Sequence, residues 1–176
     1  MANKAVFCIA QSQQQATRIV EEAQDAGFSG DDVSVLLPDR GGSHDFAHEQ
    51  HTKAPEGATT GAVTGGVLGA AAGYLVGIGA LAIPGLGPFV AAGPIMAALG
   101  GAAVGTAAGG VTGMLVGYGM PEYEAKRYEG KVKAGNILIT IHAEDGKKVS
   151  LAKDIFKRNG AEDISYTGEA KPPPAA

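Results

Sequence analysis

The chain has 176 residues, with 18 acidic and 14 basic side chains and a formal net charge of −4, and so offers no basic stripe of the kind nucleic acid requires. A single cysteine, Cys8, rules out an internal disulfide; set in an apolar run, it reads as core rather than as a reactive thiol. The 28 glycines are more than twice the usual share of about 7% and lie mostly in one block.

The first region, residues 1–38, reads as strand, helix, strand. The leading MANKAVFCIAQSQQQ lacks the long apolar stretch and small-residue cleavage site of a signal peptide, so a cytoplasmic head is expected. AVFCIA is a short apolar run with β-branched and aromatic members, as in a buried strand. Ser12 followed by Gln15 resembles a capping box. Ala16, Ile19, Val20, Ala23 and Ala26 then recur at helical spacing until Gly27 closes the helix. VSVLL is a second strand, ending at Pro38.

Residues 39–56 form a polar linker in which His44, His48 and His51 stand four and three residues apart. On a helix they would share a face and suit Zn²⁺ or Ni²⁺. Asp45 replaces the glutamate that a zinc-protease motif would need, and a solvated linker is the plainer reading.

From Gly57 to Pro121 no residue is charged. Gly57, Gly61, Gly65, Gly69, Gly73 and Gly77 recur at every fourth position, and Gly101, Gly105, Gly109, Gly113 and Gly117 repeat the pattern. Each interior helical glycine costs roughly 0.5–1 kcal/mol relative to alanine, so the register calls for close backbone approach by a partner helix. Pro84, Pro88 and Pro94, with Gly85 and Gly87, interrupt the block. The pattern therefore predicts a helical hairpin over residues 57–120, roughly 58–82 outward and 95–119 returning. A 25-residue helix rises about 37 Å, enough for a hydrocarbon core of about 30 Å. Lys53 on one side, and Lys126, Arg127, Lys131 and Lys133 on the other, give positive flanks. Against membrane insertion stand the absence of tryptophan and the position of Tyr74 within the first segment. Two expectations follow. The hairpin enters or lies on the cytoplasmic membrane, or it packs against copies of itself in a soluble homo-oligomer.

PEYEAKRYEGKVKAG, residues 121–135, has acidic residues near its start and lysines near its end, as the helix dipole favours. It reads as a connector helix packing Tyr123, Ala125 and Tyr128, with a membrane-surface position as the alternative. NILITIHA is a strand, and His142 reads as a residue at its edge. Asp145 caps a helix whose apolar face is Val149, Ala152, Ile155 and Phe156; Gly160 ends that helix and DISYTG is the last strand. Residues 121–168 thus form the second half of the head, and 169–176 a Pro-rich disordered tail. Two βαβ units predict an α+β, ferredoxin-like head with two helices on one face of four strands, interrupted by the glycine-zipper hairpin.

Glycine spacings in GGVLGAAAG and PGLGPFVAAG imitate nucleotide loops, but the Gly-Lys-Ser/Thr of one motif and the strand and acid of the other are missing. No catalytic constellation assembles, and no cofactor or enzymatic activity is expected.

TKAPEGATTGAVTGG, GIGALAIPGLGPFVAAGPIMAAL and MPEYEAKRYEGKVKAGNILI resemble bacterial general stress proteins of the 17M type and their low-temperature-induced glycine-zipper relatives, over nearly the whole chain. A weaker likeness is to a membrane component of alternative complex III that also joins a small α/β domain to a hydrophobic hairpin. The stress-family resemblance implies a stress-linked, membrane-associated structural protein and carries no catalytic residue over.

Overall fold

A computed structural model describes residues 4–38, 79–83, 87–93 and 110–168. In chain order these form β1 (Lys4–Ala10), α1 (Gln13–Asp25), β2 (Val33–Pro38), β3 (Gly79–Ile83), β4 (Gly87–Ala92), α2 (Val111–Gly117), α3 (Glu122–Lys133), β5 (Ile137–Ala143), α4 (Gly146–Arg158) and β6 (Glu162–Gly168). The fold is mixed α+β.

Local chemistry sets the boundaries of α1 and α4. The Ser12 hydroxyl accepts from the Gln15 backbone N–H at 3.2 Å, and the Asp145 carboxylate accepts from that of Lys148 at 2.7 Å. Each satisfies one of the N–H groups that a helix start leaves without a partner. Gln15 departs from the capping-box pattern. Its side chain accepts from the Gln11 N–H at 2.8 Å and donates to the Asn159 carbonyl at 2.8 Å, tying α1 to the end of α4. Both helices stop where glycines take left-handed backbone, Gly27 at φ 88° and Gly160 at φ 67°.

The six strands are ordered β3-β4-β2-β5-β1-β6 with every pairing antiparallel. Side chains alternate between two cores. Val6, Cys8, Val33, Val35, Ile139 and Ile141 face α1 and α4, where they meet Ile19, Val20, Ile155 and Phe156. Phe7, Ile9, Leu36, Phe89 and Leu138 face α2 and α3, where they meet Met114, Leu115, Ala125, Tyr128 and Val132. The near-continuous apolar runs of β1, β2 and β5 are what strands covered on both faces require.

This corrects the expectation of helices on one face only. The second face is covered by α2 and α3, and the Phe7 ring meets Tyr118 and Tyr128 edge-on at centroid distances of 6.1 and 6.4 Å. Because Ala125, Tyr128 and Val132 of α3 are buried there, its apolar face is not available to a membrane surface. Tyr123, expected to pack, is exposed.

The tip of the expected helical hairpin also differs. Residues 79–83, within and just after the predicted outward helix, are strand β3, and 87–92 are strand β4; β4 pairs with β2 from Val35↔Ala92 to Pro38↔Phe89. Gly93 follows at φ 81°, and a Cβ there would stand 2.2 Å from the Val33 carbonyl oxygen. Only glycine lets the backbone pass so close to β2. At the far end of the predicted return helix, Val111–Gly117 is helical as α2. Segments 39–78 and 94–109 thus start and end at elements of the described fold, β2 and β3 for the first and β4 and α2 for the second.

Candidate functional site

The sequence-singled residues distribute unevenly. His44, His48 and His51, Gly57 through Gly77, and Gly101, Gly105 and Gly109 lie outside the described residues. Gly113 and Gly117 close the second ladder on α2, one turn apart, with Gly113 half-buried and Gly117 exposed. A Cβ on Gly117 would meet nothing within 4 Å, so no contact among the described residues forces glycine there. Val116 beside it is 42% exposed.

What anchors this end of the ladder is a set of polar ties. The Thr112 N–H donates to the Glu129 carboxylate at 3.1 Å, its hydroxyl donates to the same oxygen, and Lys133 pairs with Glu129 at 2.7 Å. Burial pushes the Glu129 carboxyl up, but the hydrogen bonds from Lys133 and Thr112 outweigh it and hold the group below its ordinary range. After α2, the Tyr118 carbonyl accepts from the Thr167 hydroxyl at 2.8 Å. The Tyr128 hydroxyl donates to the Asp163 carbonyl and lies 3.1 Å from the Ser165 hydroxyl. Asp163 has left-handed backbone at φ 48°, beside the register shift opposite Phe7 and Ile9. Arg127 at 3.4 Å and Lys131 at 3.5 Å hold its carboxylate.

In the basic flank after the ladder, Arg127 and Lys131 reach β6 and the other cations pair within α3. Lys126 pairs with Glu122 at 2.7 Å, Arg127 with Glu124 at 3.7 Å as well as Asp163, Lys131 with Glu162 at 2.7 Å, and Lys133 with Glu129. These cations complete intramolecular pairs, most of them half-exposed and individually worth little.

His142 is not at a sheet edge. β5 lies between β2 and β1, the His142 N–H donates to the Asp32 carbonyl at 2.7 Å, and its half-buried ring stands 5.7 Å from that of Tyr118. Ser34 and Thr140, paired across β2 and β5, are buried on the same sheet face, and the Thr140 hydroxyl has no hydrogen-bond partner among the described residues. Burial pushes the Cys8 thiol well above its ordinary range and raises the Tyr128 hydroxyl likewise. Both are thereby favoured in the protonated form at neutral pH.

A cavity of about 80 Å³ lies where Gln11, Ser12 and Gln13 approach Leu37, Pro38, Gly135 and Ile137, well below the roughly 300–1,000 Å³ of small-molecule sites. Among the described residues no group of three or more His, Cys, Asp or Glu side chains is placed to hold a metal ion, and no helix is long and apolar enough to cross a membrane.

The feature that sequence reasoning missed is the β3–β4 hairpin. Its signal was present: GALAI and GPFVAA are short apolar runs separated by Pro84, Gly85 and Leu86, a turn composition as much as a helix-breaking one. Comparison with protein-family models, curated proteins and solved structures found no match for this chain.

Proposed function

We propose that this chain is a non-enzymatic, self-assembling structural protein, in which a ferredoxin-like α/β head presents two glycine-ladder segments that pack against those of neighbouring copies. The ferredoxin-like reading is supported by the order β2-β5-β1-β6 of the four head strands, with α1 and α4 crossing over one face. The resemblance to general stress proteins of the 17M type makes the role stress-linked.

The observation that carries the proposal is the anchoring of the ladder segments. β2 ends at Pro38, β3 begins at Gly79, β4 ends at Ala92 and α2 begins at Val111, all in or against one sheet. Tethering both ends of a ladder segment to a rigid body limits the space it can explore, which lowers the entropic cost of docking against a second copy. Glycines at intervals of four give each segment the surface such close packing needs.

The same anchoring argues against a simple span with its tip across the membrane. A one-way crossing by 57–78 would require the linker 39–56, with Asp39, Arg40, Asp45, Glu49, Lys53 and Glu56, to return through the bilayer. Each charge at the bilayer centre costs about 3 kcal/mol even on the mildest scale. Association with the surface of the cytoplasmic membrane through the uncharged ladder segments is the second reading, favoured by the absence of charge from Gly57 to Pro121. A metal site at His44, His48 and His51 is a third reading. It requires about one bound Zn²⁺ or Ni²⁺ per chain in tag-free protein.

The experiment is sedimentation velocity of the full chain beside the Gly65→Leu/Gly109→Leu double variant. A wild-type oligomer reduced to monomer by the two leucines supports the proposal, and an unchanged size refutes it. Carbonate extraction of membranes separates the readings: release into the supernatant favours the peripheral or soluble assembly, and retention favours insertion.

A further inference from the structure

The two edges of the sheet are built differently. On the β6 edge the strand carries Glu162 and Asp163, bulges opposite β1, is clasped by Arg127 and Lys131, and has the Lys153 ammonium 3.4 Å from the Tyr166 ring centre. Charge and irregularity of this sort keep an edge from recruiting another strand. On the β3 edge, GALAI has no charge and no proline, and it pairs with β4 in unbroken register from Gly79↔Ala91 to Ile83↔Gly87. Among the described residues β4 is its only pairing partner. Alternate residues of such a strand direct N–H and C=O groups away from β4, which forms a template for a further strand.

We propose that β3 of one copy pairs antiparallel with β3 of a second copy across a two-fold axis, joining the two sheets into one. The occupant follows from the strand's own composition. With nothing charged or bulged in β3, its own copy meets no repulsion, and a two-fold centred on Leu81 overlaps all five residues. That centring sets Gly79 against the partner's Ile83, Ala80 against the partner's Ala82, and Leu81 against the partner's Leu81. An isologous contact of this kind closes at two copies and leaves the guarded β6 edges outermost. The proposal rests on the self-assembly reading for its partner, but it uses a contact separate from the ladders.

The test is a charge swap in the full chain. Leu81→Glu and Leu81→Lys, each made alone, set like charges face to face and should weaken the two-copy contact by on the order of tenfold or more. An equimolar mixture of the two should restore it, a result that misfolded variants cannot give. In addition, Leu81→Cys should give a covalent dimer on mild oxidation, because facing Cα atoms at about 5 Å lie within disulfide reach. Wild-type-like association of either charged variant, or failure of the mixture to recover, overturns edge pairing. The Gly65→Leu/Gly109→Leu variant distinguishes the two contacts: if it assembles normally while the charge swap behaves as expected, the ladder reading falls and the edge stands. The opposite pattern removes the edge and leaves the ladders.

Discussion

The molecule divides into a head of β1, α1, β2, β5, α4 and β6, and an annex of β3, β4, α2 and α3 added to one edge and one face of it. In the head, both crossovers begin and end on local signals and the helices bury Ile19, Val20, Ile155 and Phe156 against strands they directly connect. The annex comes from chain on either side of the ladder segments. It is held by one strand pairing, by the Phe7 and Tyr128 contacts, and by polar ties such as Thr167 to Tyr118 and Lys131 to Glu162. On the self-assembly proposal the difference is a division of labour: the head supplies stability, while the annex holds chain ends from which the ladder segments would reach other copies.

That division is open to attack by mutation and pH. The largest effect should come from Phe156→Ala in the fully buried head core, expected to cost about 3–5 kcal/mol in denaturant unfolding and to lower the stability of both regions together. Gly93→Ala should cost about 2–3 kcal/mol, because a Cβ 2.2 Å from the Val33 carbonyl oxygen at φ 81° must push β4 away from β2. Hydrogen exchange should show the loss confined to β3 and β4 with α1 and α4 protection intact; uniform loss would erase the distinction between the regions. The smallest effect concerns Glu129. Its carboxyl is held below the ordinary value of 4.5 in the folded chain, so its contribution is present above that value and is lost as pH falls through the lower folded value. Acidification through this range should loosen α2 from α3 by about 1 kcal/mol, and Glu129→Gln should remove that pH dependence.

Much of the head was legible because its signals are local. Ser12, Gly27, Asp145 and Gly160 bound helices whose apolar positions recur within a few residues. The annex was harder to read, since alanine and glycine around Leu81 favour neither strand nor helix and the partner that selects strand, β2, lies far back in the sequence. Pro84 and Pro88 exclude a continuous helix, which suits a connection between two strands as well as a break between two helices. His142 looked like an edge residue because strand order is a tertiary property; β1 and β2 flank it from opposite sides of its strand. The ladder pattern was the clearest periodic signal, yet Gly117 shows its limit: a Cβ there would meet nothing within 4 Å among the described residues, so no contact in the described chain accounts for the glycine.

The most direct measurement is the mass of the full-length particle in solution, by sedimentation velocity or native mass spectrometry, for wild type and for Gly65→Leu/Gly109→Leu. A multimer of the wild-type chain that falls to smaller species when leucines fill the ladders is the predicted result. A wild-type chain that stays monomeric at working concentrations, or a double variant of undiminished mass, would contradict it.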